Sequence, residues 1–164
     1  MIIFLKNKHT LQLGDFEFKC SIGKNGTSKS KIEGDKKTPK GTYKIGPLYY
    51  RKDRVKNIKT VLKCISINKR MGWCDDARDL QNYNKMIYTN TNFSHEKLYR
   101  KDHKYDLLIP IKYNFKKKIV GKGSCIFLHL TRNYAPTAGC IALSEKDFLI
   151  LLKLINKNSK IKIN

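Results

Sequence analysis

Two short stretches near the end of the chain indicate how it folds: Ile126-Phe127-Leu128-His129-Leu130 and, after a short gap, Pro136-Thr137-Ala138-Gly139-Cys140-Ile141. A histidine on an apolar strand is followed by a loop that ends in Gly-Cys, and a second apolar run begins there. Two neighbouring strands can bring a thiol and an imidazole together in this way. Nucleophilic cysteines react as thiolates, and an imidazole within hydrogen-bond reach is a common base for them. The pattern therefore predicts a pair formed by Cys140 and His129.

Gly139, directly before the cysteine, strengthens this hypothesis. Glycine permits a tight turn and lets the backbone approach a substrate carbonyl closely. The amides of Gly139 and Cys140 would then donate to an oxyanion, which contributes roughly 3–4 kcal/mol in other enzymes. The residues alone leave a second interpretation open, in which His129 is a satisfied core residue and Cys140 an inert buried thiol.

Length and composition fit a single domain that spans residues 1–164. The chain has 164 residues, of which 40% are hydrophobic, enough for a core of ordinary domain size. No apolar run approaches the ~20 residues that cross a bilayer, so we expect no transmembrane segment. The start, Met1–Lys8, does not have the pattern of a secretory signal. Export by another route, a removed signal and a cytoplasmic location all stay open.

The net charge is strongly positive, since 35 Lys and Arg stand against 13 Asp and Glu, giving +22. A polyanionic partner such as nucleic acid, anionic membrane or acidic cell-wall polymer is one explanation. Compositional drift is the other, and we favour it because lysines are scattered along the chain, with short clusters only at 29–40 and 116–118. We expect weak nonspecific anion binding and no specific nucleic-acid partner.

The cysteines indicate neither a disulfide framework nor a metal centre. Five is an odd number, so at least one is unpaired within the chain; they are Cys20, Cys64, Cys74, Cys125 and Cys140. Cys125 and His129 are four apart on a strand and share a face, and Cys140 could join them at a zinc ion. No second Cys/His pair completes a tetrahedral site, so we predict no metal and no cofactor.

The remaining pattern predicts short strands and one helix. Alternating residues over 2–22 indicate a β-meander, and further strands are expected near 42–45, 64–67, 106–111 and 124–130. Ser144, with a carboxylate three residues later, predicts the start of a helix. Residues 75–94 are polar and predict a long irregular segment, which in a compact domain is more often functional than idle.

Several blocks in one order carry a family resemblance over nearly the whole chain. These blocks are Gly34-Asp35-Lys36-Lys37-Thr38-Pro39-Lys40-Gly41-Thr42-Tyr43, Gly72-Trp73-Cys74-Asp75-Asp76 with Tyr83-Asn84, Ser94-His95-Glu96, Tyr105-Asp106-Leu107, Gly123–His129 and Pro136–Leu143. In this order they resemble the L,D-transpeptidase (YkuD-type) catalytic domain, in its small, single-domain proteobacterial branch.

The resemblance implies a mostly β fold of sandwich-like mixed sheets with one C-terminal helix and small helical additions. It implies that Cys140 is the nucleophile and His129 the general base, with Gly139 and Thr137 at the oxyanion site. The implied substrate is a peptidoglycan tetrapeptide stem, both as donor and as acceptor, and the implied product is a 3→3 crosslink. Water as acceptor would make the same site an L,D-carboxypeptidase. A periplasmic or cell-wall location follows from the substrate.

Six further residues are hypotheses for the wall that faces the substrate: Trp73, Asp75, Asp76, Tyr83, Asn84 and His95. The alternative is that they order a long loop through hydrogen bonds. The chain also departs from the commonest family pattern, because Ala138 and Ala142 stand where that pattern has His and Arg or Asn. These departures concern the choice of acceptor more than the thiol chemistry. A noncatalytic module that binds anionic polymer is the hypothesis from another class.

Overall fold

The computed structural model describes residues 1–90 and 92–164, and most of the regular structure in these residues is β. Residues of alternating burial form the strands, because successive side chains of a strand point to opposite faces. The strands are β1 Ile2–Asn7, β2 Thr10–Leu13, β3 Phe16–Ser21, β4 Thr27–Ser28, β5 Thr38–Pro39, β6 Gly41–Lys44, β7 Leu48–Tyr50, β8 Cys64–Ser66, β9 Met71–Cys74, β10 Met86–Tyr88, β11 His95–Lys97, β12 Leu107–Pro110, β13 Phe127–Leu130, β14 Ile141–Leu143 and β15 Lys160–Ile163.

Ten of these strands form one mixed sheet, in the order β6-β15-β1-β2-β3-β14-β13-β12-β7-β8. The β-meander predicted for the N-terminal residues is confirmed, since β1 pairs antiparallel with β2 and β2 with β3. Ile3, Leu5 and Leu11 from this meander are buried in the larger of two hydrophobic clusters. The prediction of a mostly β fold is therefore confirmed.

The central strands β13 and β14 lie side by side and run parallel. All residues of both strands are buried, as expected for strands covered on both faces. Leu128 and Leu130 belong to the larger cluster, whereas Phe127 belongs to the second. Because side chains alternate, His129 lies on the same face as Phe127. The histidine is thus presented away from the main core.

The single helix of the described residues, α1 Glu145–Leu154, begins as the sequence predicts. The Ser144 side chain accepts a hydrogen bond from the Asp147 amide at 3.1 Å, and such an N-cap stabilises a helix by about 1 kcal/mol. Phe148 and Leu151 are buried against the sheet. The small helical additions that were also expected are absent from residues 1–90 and 92–164, where turns occupy the connecting segments.

A smaller three-stranded sheet, in the order β10-β9-β11, packs beside β13. The rings of Trp73 and Phe127 meet edge to face with centroids 5.2 Å apart. The prediction of an irregular segment over 75–94 is wrong at Met86–Tyr88, which pairs with β9. Cross-strand pairing overrides the polar composition there, since Ile87 pairs with Gly72 of β9 and is buried. None of the helices described is long and apolar enough to span a membrane.

Candidate active site

Cys140 and His129 line the same cavity, which has a volume of about 590 Å³. The strand register explains why, because His129 pairs with Ala142 and Cys140 lies two residues before Ala142 on the same face. Both side chains are nearly covered, with 8% of Cys140 and 7% of His129 exposed. A pocket of this size is in the range that accommodates a small ligand.

The His129 ring has a fixed orientation. Its Nδ1 atom lies 2.9 Å from the Leu130 carbonyl oxygen, and a carbonyl can only accept, so Nδ1 carries the proton. In the neutral ring this leaves Nε2 as a proton acceptor. Burial lowers the pKa of His129 from 6.5 to about 4. At neutral pH the ring is therefore an uncharged base.

The Cys140 thiol is uncharged as well, because burial raises its pKa from 9.0 to about 12. The thiol donates to the Cys125 carbonyl oxygen at 3.2 Å and accepts from the Phe127 amide at 3.3 Å. No hydrogen bond joins it to His129 among the contacts of the described residues. Catalytic hydrogen bonds are often formed only when substrate binds. The resting pair is thus a neutral thiol and a neutral imidazole.

The peptide that links Gly139 to Cys140 is oriented by Thr38. The Thr38 hydroxyl donates to the Gly139 carbonyl oxygen at 2.9 Å and accepts from the Gly23 amide at 2.9 Å. In a planar trans peptide the C=O and N–H groups point in opposite directions, so the Cys140 amide points away from Thr38. Within the part of the chain that the structure describes, this amide has no hydrogen-bond partner. It is the donor available to an oxyanion.

Gly139 is required at its position for two reasons. Its φ of +143° lies in a region that other residues rarely adopt, and a Cβ atom here would lie 2.9 Å from the Lys37 carbonyl oxygen. Its own amide donates to the Thr137 hydroxyl at 3.1 Å. That amide is therefore occupied, which corrects the expectation that it is a free oxyanion donor in the resting structure.

Thr137 fixes the loop before the cysteine. Its hydroxyl donates to the Cys140 carbonyl oxygen at 2.6 Å, while its backbone bonds the Ile22 carbonyl oxygen and the Lys24 amide, both at 2.9 Å. The two backbone bonds join this loop to Ile22 and Lys24, which lie just after β3. Thr137 lines the cavity as well, but its hydroxyl is occupied within the loop by the Cys140 carbonyl oxygen and the Gly139 amide.

A comparison with protein-family models matches residues 2–163 to YkuD, the L,D-transpeptidase catalytic domain. The chain belongs to this family. Since the match covers nearly every residue, the whole chain forms the YkuD domain. A comparison with curated proteins found no match.

Two solved structures show the same fold. Bd1075 of Bdellovibrio bacteriovorus superposes with a TM-score of 0.52 at 16% identity, over 99% of this chain and 47% of that one. The helical cell shape determining protein Pgp2 of Campylobacter jejuni superposes with a TM-score of 0.55 at 20% identity, over 99% of this chain and 46% of that one. The chain therefore spans about half the length of the structures it matches.

One of the six predicted wall residues, Asp75, lines the cavity of this YkuD domain. Its Oδ1 atom is buried and has no hydrogen-bond partner among the described residues. Asp76 lies elsewhere, where it accepts from the Arg78 side chain and from the Ser94 amide. His95 contacts the Phe93 carbonyl oxygen and lies against Gly72.

The other three predicted residues, Trp73, Asn84 and Tyr83, do not line the cavity but bond residues around it. The Trp73 indole and the Cys125 amide both donate to the Asn84 Oδ1 atom, at 2.9 and 3.2 Å. The Asn84 amide nitrogen donates to the carbonyl oxygen of Tyr113 at 3.0 Å. Tyr83 donates to Glu33 at 2.9 Å. These contacts fit the alternative interpretation, in which such residues order the loops around the site.

The cavity also contains charged residues that the sequence did not single out. Glu96 accepts from the Tyr105 hydroxyl at 2.7 Å, and Lys104 and Arg132 are exposed at the opposite rim. Lys31 also lines the cavity and is 3% exposed. Lys31 lies four residues before Asp35 but outside the first family block, which begins at Gly34, so no motif pointed to it.

Proposed function

We propose that this protein is a cysteine-dependent L,D-transpeptidase that acts on peptidoglycan stem peptides. The observation that supports this most directly is the placement of Cys140 and His129 on one cavity wall by adjacent parallel strands. Membership of the YkuD family supports the choice of substrate. That substrate lies outside the cytoplasm, so we expect the protein in the periplasm or cell wall.

In the proposed acylation step, Cys140 Sγ attacks the carbonyl carbon of the bond between diaminopimelate and the terminal D-Ala. His129 Nε2 takes the thiol proton, because Nδ1 is already occupied by the Leu130 carbonyl. The Cys140 amide donates to the oxyanion of the tetrahedral intermediate. Collapse of this intermediate breaks the C–N bond, and D-Ala leaves with the proton from His129.

The thioester on Cys140 is then resolved by an acceptor. In the transpeptidase the side-chain amine of a second stem attacks, His129 accepts its proton, and the thiol is regenerated as the 3→3 bond forms. The carbonyl oxygen of the substrate and that of the thioester both accept from the Cys140 amide, so one oxyanion site serves both steps.

A carboxypeptidase, in which water resolves the thioester, is the second candidate. Ala138 and Ala142 both line the cavity, and neither has a polar side chain with which to orient an acceptor amine. Where the acceptor amine is poorly oriented, water competes for the same thioester. The two candidates share every residue of the acylation step and differ only in their product.

The test is incubation with disaccharide-tetrapeptide, followed by mass spectrometry of protein and products. We expect an acyl adduct on Cys140, release of D-Ala, and either a 3→3 dimer or disaccharide-tripeptide. Cys140→Ala should lose adduct and product, whereas Cys64→Ala, which removes an exposed thiol, should keep both. A protein that forms neither adduct nor product would instead fit the noncatalytic module that binds anionic polymer.

A further inference from the structure

Lys31 is a buried cation for which the proposed mechanism above has no role. It is 3% exposed although lysine is almost never fully buried without a partner. Its partner is Asp35, whose Oδ1 atom lies 2.7 Å from the Lys31 Nζ atom. Burying such a pair costs desolvation energy that an apolar pair of similar size would avoid. Its position beside the cavity therefore points to a use other than stability.

Two glycines make room for this side chain. A Cβ atom on Gly123 would lie 2.8 Å from the Lys31 Cε atom, and one on Gly139 would lie 3.7 Å from its Nζ atom. Gly123 has a φ of +104° and Gly139 a φ of +143°, so both positions favour glycine on backbone grounds too. The lysine stem thus passes over Gly123, and the ammonium lies beside the residue that precedes the cysteine.

Asp35 orients the ammonium from the other side. Burial alone would raise the pKa of Asp35, but hydrogen bonds from Lys31 and from the amides of Ile32 and Lys37 lower it below its usual range. Asp35 is thus a carboxylate that holds the Lys31 side chain in place. An ammonium has three donors. One bonds Asp35 and another lies 3.4 Å from the Ile32 carbonyl oxygen, which leaves a donor for a further group.

The charges that act on Cys140 have opposite signs. Burial has the largest effect on the pKa of the thiol and raises it, and the Phe127 amide lowers it. Of the two charged groups with smaller effects, Glu96 raises this pKa and Lys31 lowers it. The other titratable groups near the thiol are Tyr105, Cys125 and His129. All three are uncharged at neutral pH, because burial raises the pKa of Tyr105 and Cys125 and lowers that of His129.

We propose that Lys31 stabilises negative charge at Cys140: its buried ammonium, located between Asp35 and the Gly139–Cys140 peptide, favours the thiolate and the anionic tetrahedral intermediate. Because the Gly139 amide is occupied by Thr137, this ammonium is a second source of positive potential beside the Cys140 amide. On this view Lys31 is a positioning residue, which acts on the Cys140 thiol through the electrostatic potential of its charge. The statement about the intermediate rests on the proposed function, whereas the statement about the thiolate does not.

The test is peptide-resolved alkylation of Cys140 by iodoacetamide across a pH series, in the full chain. For Lys31→Met we expect about tenfold slower labelling at each fixed pH below the thiol pKa, as for a thiol whose pKa rises by roughly one unit. Lys31→Arg retains the charge and should restore most of the rate. Lys29→Met removes an exposed charge from the same segment and should change the rate less than about twofold, since exposed charges are screened.

Folding is controlled separately, because Lys31→Met leaves the Asp35 carboxylate without its partner. The double variant Lys31→Met/Asp35→Asn removes both charges, and we expect the same slowing of labelling in it. A folded Lys31→Met or double variant with the labelling profile of the wild type would overturn the proposal. A profile that depends on Lys31 in a protein that processes no tetrapeptide would support this inference and refute the proposed function alone.

Discussion

The two sides of Cys140 differ in how completely their polar groups are satisfied. Behind the cysteine, the hydroxyls of Thr38 and Thr137 each make a donated and an accepted hydrogen bond within the chain. On the cavity side, Asp75 Oδ1 and His103 Nε2 are buried, and neither has a partner among the residues described. Buried polar atoms without a partner are costly and uncommon. The paired side therefore holds the Gly139–Cys140 peptide in place, and under the proposed function the unpaired side is where a substrate would supply the missing contacts.

The largest effect is expected for His129→Asn, which removes the proposed base but keeps a hydrogen bond at its position. The Asn amide can still donate to the Leu130 carbonyl oxygen, but the proton-accepting Nε2 atom is lost. We expect turnover of disaccharide-tetrapeptide to fall about 10²–10⁴-fold, the usual contribution of a general base. The measurement is the rate of D-Ala release. Turnover close to that of the wild type would show that another group takes the thiol proton.

Acid should destabilise the folded protein through the same histidine. The unfolded chain takes up this proton near pH 6.5, whereas the folded protein resists it until about pH 4. Protonation below pH 6.5 therefore favours the unfolded state. The free energy of unfolding should fall by roughly 3 kcal/mol between these two values, at 1.36 kcal/mol per pKa unit.

Urea unfolding of wild type and His129→Asn at about pH 7 and about pH 4 checks this sign. The variant should lose less stability on acidification, because it lacks the group that takes up the proton. Equal losses in both proteins would assign the acid sensitivity to other residues.

On the paired side, Thr38→Val should lower the free energy of unfolding by about 1–3 kcal/mol, since it leaves the Gly139 carbonyl and the Gly23 amide without a partner. Turnover should fall as well, because the Cys140 amide loses its fixed direction. Thr10→Val, in β2, is a matched control that should change stability by less than about 0.5 kcal/mol. Urea unfolding measures both, and a Thr38 variant as stable as the wild type would contradict the positioning role.

On the unpaired side, Asp75→Asn should change stability by less than about 0.5 kcal/mol, because its Oδ1 atom makes no hydrogen bond to a described residue. We expect KM for the stem peptide to rise several-fold with little change in kcat, since the lost charge faces the cavity and not the thiol. Asp15→Asn, at an exposed turn, is the control. A stability loss above about 1 kcal/mol would make Asp75 a structural residue instead.

Strand periodicity and the order of the family blocks both predicted that Cys140 and His129 lie close together, and both residues line one cavity; their catalytic pairing stays a prediction. The N-cap at Ser144 was predictable because it depends on a local pattern, a serine followed three residues later by Asp147. Trp73 and Asn84 were less predictable. Their hydrogen bond joins β9 to the turn before β10, a tertiary contact, so the sequence could not distinguish a loop-ordering role from a substrate contact.

Lys31 was missed because burial of a lysine is a tertiary property. Nothing in the residues 29–40, where charges are frequent, distinguishes the one lysine that is 3% exposed from its exposed neighbours. Its environment depends on Gly123 and Gly139, which are about a hundred residues away in the chain but adjacent to it in space.

The parallel pairing of β13 with β14 has a consequence for how such sites diversify. Parallel strands cannot be joined by a tight hairpin, so residues 131–140 must cross from one strand to the next, and most of this crossing borders the cavity. The strand register fixes His129 relative to Ala142 whatever the crossing contains. Insertions or deletions in it would reshape the entrance while the reactive pair stays in register. The shape of the entrance can therefore change through loop length alone, and under the proposed function the acceptor preference would change with it.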